Sequence, residues 1–178
     1  MAPCVRVLVF ITSVAFLACS CVLCVVPLFR HNDGDVHAVQ TLWLREYEVG
    51  SQKFTEYVRD SECGSFNTAF QLMEGAAVAS VGLGVGLTLL SGLQLVRPGG
   101  WETRMPFLVL VVASFISMLI DFVLSLQAWE NGFCQNAPQV SQMVNAYKKN
   151  NWTQVEGFVL VCVNFSMSVI LFFMLFGT

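Results

Sequence analysis

Charge is what this chain has least of: 12% of its 178 residues are Asp, Glu, Lys or Arg, about half the share found in soluble globular domains. A water-exposed surface is built from those groups, so an ordinary soluble fold is excluded. Histidine is nearly missing, with two residues, His31 and His37. There is no P-loop, no Gly-rich dinucleotide turn, no nucleophile elbow and no His-rich metal spacing, which removes the common enzyme classes. His31, His37, Asp33 and Asp35 could be drawn as a metal set, but a solvated loop is the favoured reading. No catalytic residue, metal or cofactor is therefore expected. Basic stripes are absent too. The net charge is -3, and residues 30–66 hold seven acids against four bases, a balance that offers nothing to nucleic acid. No internal repeat occurs, and no stretch is long enough for a second, soluble domain.

What the chain does have is hydrophobic length. It is 56% apolar, with a mean hydropathy of +0.66. Four runs, 7–29, 75–96, 105–129 and 157–178, are uncharged except for Asp121. Each reaches the roughly 20 residues that a helix needs to cross about 30 Å of hydrocarbon. The expected fold is an all-α membrane protein, a single tetraspan domain over residues 1–178. It is a four-transmembrane-helix bundle with spans at about 5–29, 68–96, 105–129 and 155–177. Loops 30–66 and 130–154 would form a small β-containing extracellular cap. The first run continues without a charge to Phe29, too long for a secretory h-region, so a retained anchor is favoured over a cleaved signal. Four spans put both termini on one side. The connector from Arg97 to Arg104 carries two Arg in eight residues, which places that side in the cytoplasm. The six bases in the larger loops weaken this signal.

In the first loop, "VQTLWLREYEV" (39–49) alternates as a strand does. Gly50 and Ser51 form a turn into a second strand, "KFTEYVRD". In the second loop, "VSQMVNAYKK" (140–149) has its apolar residues at helical spacing and reads as a short helix. Trp43, following the strand that leaves the first span, is placed at the membrane interface with its ring partly buried.

Four spans, "TLW" in the first loop, a later Cys in that loop and "FNTAFQLMEGAAVAS" entering the second span resemble the amastins, small tetraspan surface proteins of trypanosomatid parasites, and through them the claudin-like architecture. Thr41, Leu42 and Trp43 match the signature, and Glu48 fits its polar slot. Phe66, Ala69 and Gln71 are similar to the family's entry to the second span. The signature is degenerate: Val39 and Val49 stand at its two Cys positions and Leu44 at its Gly. The resemblance implies a left-handed bundle under a small β-containing cap at the parasite surface, with no catalytic activity assigned.

The seven cysteines sort by depth. Cys19, Cys21, Cys24 and Cys162 lie within spans and read as buried thiols. Cys4, at the cytoplasmic edge, is a candidate for palmitoylation. Cys63 and Cys134 are the two loop cysteines, one in each loop, and a disulfide between them is the favoured reading. Set beside the lost signature pair, this bond would replace a staple within one loop by one between loops. Of two sequons, "NWT" at Asn151 lies too near the fourth span for ready glycosylation, and "NFS" at Asn164 lies inside it.

In the second span, Gly75, Ala79, Gly82 and Gly86 form a small-residue stripe with a GxxxG step. It serves either dimerisation or packing within the protein's own bundle, the latter favoured. In the third span, Ser114, Ser117, Asp121 and Ser125 follow at steps of three, four and four and make a narrow polar stripe that should face protein. Counting down each helix, Glu74, Asp121 and Asn164 fall in one layer. The favoured reading of that layer is a hydrogen-bonded clasp locking three helices, with a proton or cation site as the alternative.

Three functions fit. The first is a non-catalytic surface protein of structural or interaction type. The second is a small transporter or proton-coupled channel using the intramembrane acids. The third is an accessory subunit of a larger membrane complex. Membrane lipids, and a protein partner or self-association through the cap, are the expected partners. The plasma membrane is the expected location, with an internal membrane as the alternative.

Overall fold

The computed structural model describes residues 3–34, 36–96, 101–133 and 146–176. Four helices carry the architecture: α1 (Pro3–Leu23), α2 (Gly64–Val96), α3 (Trp101–Glu130) and α4 (Glu156–Phe176). All four are long and apolar enough to cross a membrane. They pack in a ring, with α1 and α3 each lying against both α2 and α4. Side chains such as Ile11, Leu72, Leu89, Val109 and Phe173 project outward. An apolar exterior of this extent suits hydrocarbon, not water.

The lengths are unequal. At 1.5 Å per residue, the 33 residues of α2 and the 30 of α3 run about 50 and 45 Å, against about 32 Å for the 21 residues of α1 and of α4. The first helix stops at Leu23, six residues before the expected end at Phe29. Pro27 is the reason: it has no N–H to continue the helix and pushes Val26 toward extended geometry. Phe29 instead opens the first strand.

The cap is a five-stranded antiparallel sheet of β1 (Phe29–Asp33), β2 (Val36–Gln40), β3 (Leu44–Val49), β4 (Gln52–Tyr57) and β5 (Trp152–Gln154). The order is β4-β3-β2-β1-β5, so the second loop adds its strand to an edge built by the first. The single strand expected over 39–49 is two strands. Between them the Thr41 hydroxyl accepts hydrogen bonds from the N–H groups of Trp43 (3.2 Å) and Leu44 (3.1 Å) and donates to the Leu44 carbonyl (3.0 Å). A threonine side chain offering local partners competes with the strand ladder and turns the chain. The turn at Gly50 and Ser51 lies where the sequence puts it, with Gly50 at φ 61, a conformation open to Gly at no steric cost. Of the expected helix over 140–149, residues 140–145 lie outside the described ones, while Tyr147–Asn150 form a 3-10 turn.

An aromatic floor joins sheet to bundle. Phe29 stacks on Tyr147 at 4.4 Å and lies 6.0 Å from Trp129, and Trp152 meets Tyr147 edge-on at 4.9 Å. The backbones also meet there: the Gly157 N–H donates to the Pro27 carbonyl at 2.8 Å. A Cβ at Gly157 would sit against that carbonyl oxygen, with the Pro27 carbonyl carbon at 2.8 Å, so this close approach admits only glycine.

Candidate functional site

Two buried polar centres lie on either side of the aromatic floor. In the cap, β3 carries Arg45 inward, and only 4% of it is exposed. Its Nε donates to Gln40 Oε1 at 2.7 Å, one terminal nitrogen donates to the Tyr47 hydroxyl at 2.9 Å, and the other donates to the Tyr147 hydroxyl at 2.8 Å. Tyr147 in turn donates to Gln40 Oε1 at 3.3 Å, and Gln40 Nε2 donates to the Thr41 carbonyl at 2.6 Å. The guanidinium also lies 5.0 Å from the centre of the Phe66 ring and 5.8 Å from that of Trp152, within cation–π range. Burial works against the Arg45 charge, but Tyr147 and Tyr47 beside it prevail and hold it protonated. Burial pushes both tyrosines above their ordinary values, with Arg45 opposing. This knot ties β2 and β3 to residues from the second loop and the start of α2, so it seats the cap on the bundle. Sequence reading passed over Arg45. The signal was there, in a base sharing an alternating strand face with Trp43 and Tyr47.

In the bundle, the stripe on α3 is buried throughout: Ser114 0%, Ser117 7%, Asp121 1% and Ser125 0% exposed. Ser114 donates to its own helix at the Leu110 carbonyl, and Ser117 reaches across to the Ala76 carbonyl of α2 at 2.9 Å. Asn164, fully buried on α4, donates from Nδ2 to the Ser20 hydroxyl of α1 at 3.3 Å. Both Asp121 oxygens, the Ser125 hydroxyl and Asn164 Oδ1 have no hydrogen-bond partner. Glu74 is half-buried, and no hydrogen bond joins it to Asp121 or Asn164 among the described residues. The α2 groups that do enter this part of the interior are the Ala76 carbonyl and the Ser80 hydroxyl, which donates to that carbonyl at 2.8 Å.

Trp43 stands at the end of α1, where its indole N–H donates to the Cys24 carbonyl at 2.7 Å and its ring is 38% exposed. That bond satisfies one of the carbonyls a helix end leaves open. The small-residue stripe is placed differently from the favoured reading. Gly75, Ala79 and Gly82 face outward, because the buried arc of α2 runs through Met73, Ala77, Ser80, Gly84 and Leu87. Close approach within the bundle comes at Gly84, where a Cβ would lie 3.1 Å from the Leu17 Cα, and at Gly86 against Leu110.

Cys63 is disulfide-bonded, whereas Cys4, Cys19, Cys21, Cys24 and Cys162 are free. Cys4 and Cys21 are exposed and the other three half-buried, so the span cysteines are less enclosed by protein than expected, Cys21 pointing out of the bundle. Cys134 lies outside the described residues, as does Asp35. Each histidine pairs locally, His31 with the Asn151 carbonyl (3.3 Å) and His37 with Asn32 Oδ1 (2.9 Å). Asn151 is exposed and Asn164 is enclosed, so the second sequon is out of reach of any glycosyltransferase.

The profile of the amastin surface glycoprotein family matches residues 11–175. The chain belongs to that family. It is therefore a multi-pass surface membrane protein. No curated protein matches the sequence. This amastin keeps Thr41, Leu42 and Trp43 as the turn that closes β2 onto β3 and caps α1. Val39 and Val49 replace the two signature cysteines. Val39 pairs with Glu46 and Val49 with Val36, so the two positions stand three register steps, about 10 Å, apart and on opposite faces. A disulfide between them could not close in this sheet.

Proposed function

We propose that this amastin is a non-catalytic surface protein of the plasma membrane with cytoplasmic termini, whose cap makes the contact with a protein partner or a second copy. The observation that carries the reading is the Arg45 knot. It fixes the cap to the bundle while leaving β4 exposed along its whole length, with Phe54 at 54% and Tyr57 at 49% exposed. An edge strand with free N–H and C=O groups is a template for strand addition, and large apolar side chains there supply contact area. A photo-crosslinking residue at Thr55, on the surface of intact cells, should give one discrete protein adduct that Phe54→Glu abolishes. Adducts with lipid alone, or none, would rule the contact out.

The partner of Cys63 in this reading is Cys134. What supports the pairing is the preceding residue, Phe133, whose carbonyl accepts from the Ser65 hydroxyl at 2.8 Å and whose ring packs on Phe66 and Phe70. Peptide mapping without reductant should recover a peptide joining the two cysteines. The second reading, a small transporter or proton-coupled channel, has the buried Asp121 in its favour. Flux across liposomes that Asp121→Asn abolishes would establish it over the first.

A further inference from the structure

The bundle centre holds more acceptors than donors. Asp121 contributes two carboxylate oxygens, Asn164 its Oδ1 and Ser125 its hydroxyl; all three residues are no more than 1% exposed, and none of these four oxygens has a hydrogen-bond partner. The Ser20 hydroxyl, already accepting from Asn164 Nδ2, is a fifth oxygen. Phe122 and Phe165, the next residues along, stack at 4.9 Å with an interplanar angle of 4°, which holds α3 and α4 level at this depth. Ser125 follows Asp121 by one turn on the same face.

The charge balance narrows what such a group of oxygens can take. A water molecule would donate hydrogen bonds but leave one negative charge uncompensated in a medium of low dielectric. The bases within the helices, Arg6 in α1 and Arg104 in α3, lie toward the opposite end of the bundle. The Cys24 thiol just past α1 lies within electrostatic reach of Asp121, half-buried Glu74 on α2 faces the Arg59 charge of the cap, Glu156 in the first turn of α4 is exposed, and no ion pair to Asp121 occurs among the described residues. A divalent ion would carry one charge too many. A proton on Asp121 is the competing occupant, since the acid would donate to one acceptor while the Ser125 hydroxyl donates to the other carboxylate oxygen, and the response to sodium separates the two. The end of α1 adds a directional effect: the helix stops three residues after Ser20, so the negative pole of its dipole lies within about one turn of that residue and favours positive charge there.

We propose that Asp121, Ser125, Asn164 and Ser20 form a binding site for one small, hard monovalent cation, with sodium the best match to an all-oxygen set of single negative charge. Binding is the whole of the proposal, which stands whether or not the bundle transports anything.

The full chain in lipid nanodiscs provides the test. Sodium chloride, against choline chloride at the same ionic strength, should raise the melting temperature in a saturable way, since a ligand that binds only the folded state stabilises it. Radioactive sodium should bind with single-site saturation, and lower pH should weaken that binding as protons compete for Asp121. Asp121→Asn, whose amide keeps hydrogen-bonding capacity, should abolish the sodium response, and Ser125→Ala should raise the half-saturating sodium several-fold. Equal responses to sodium and choline would overturn the proposal. So would full sodium binding in Asp121→Asn, or stabilisation by acid with no sodium effect at any pH, which would assign the site to a protonated carboxyl. Should Asp121→Asn fail to fold, sodium binding by the wild-type chain and its competition by protons decide the matter.

Discussion

Arg45 and Asp121 are the two buried charged side chains among the described residues, and they are treated in opposite ways. Arg45 is surrounded by groups turned toward it: two tyrosine hydroxyls, an amide oxygen and aromatic faces. Asp121 has no hydrogen-bond partner on either oxygen. A buried charge enclosed by donors and acceptors of the protein itself is part of the architecture, since breaking such a set leaves several groups unpaired. A buried charge that the protein's own groups leave without a partner calls for an explanation that the packing alone does not give. The cap centre is closed on itself, and the bundle centre is not.

Removing the cap's charge should have the largest effect. Arg45→Met leaves Gln40 and two tyrosines unmatched in the interior and should cost about 3–5 kcal/mol, read as a lowered melting temperature in detergent and lost surface display. Arg45→Lys should recover part of this, because a point charge cannot reproduce the planar fork. An Arg45→Met chain as stable as wild type would erase the contrast between the two centres. Next comes the seam between them. Gly157→Ala forces a methyl against the Pro27 carbonyl and should cost about 1–3 kcal/mol, with the cap loosened first and detected by faster proteolysis of residues 30–60.

A smaller effect is expected at Trp43. Trp43→Phe keeps an aromatic ring at the interface but loses the N–H bond to Cys24, worth about 1 kcal/mol; an unchanged melting temperature would mean that the bond adds nothing. The smallest effect is alkaline. Burial raises the Tyr147 pKa in the folded state, so its stabilising contribution is complete below the unfolded value of about 10 and is lost as pH rises beyond it. Stability should therefore decline above pH about 10, and Tyr147→Phe should flatten that decline even though it lowers stability at neutral pH.

How legible these features were follows from how local their causes are. The spans were plain, since twenty apolar residues in a row admit few alternatives, and Pro27 is the visible reason for the early end of α1. The inward stripe on α3 was readable from helical spacing alone. Strands β1 and β5 were not, because they belong to opposite loops and each owes its structure to the other: Arg30 pairs with Thr153 across 123 residues. Arg45 was missed for a related reason, as its partner Tyr147 is 102 residues away. The layer was partly legible. Counting residues from expected helix starts put Asp121 and Asn164 deep in the interior, but depth says nothing of azimuth, and Glu74 looks partly away. The same blindness applied to Gly75, Ala79 and Gly82, whose spacing shows that they share a face and not which way it points.

The unequal helices also make the chain a gauge of bilayer thickness. Two walls of the ring, α1 and α4, measure about 32 Å, while α2 and α3 continue well past any hydrocarbon slab. The short pair alone must match the lipid. Endoplasmic-reticulum bilayers are near 27 Å and sterol-rich plasma membranes near 32–33 Å, so the short walls fit the latter and must tilt or stretch the former. Mismatch costs fractions of a kcal/mol per ångström, so the thickness of the surrounding bilayer is itself a term in the stability of this chain.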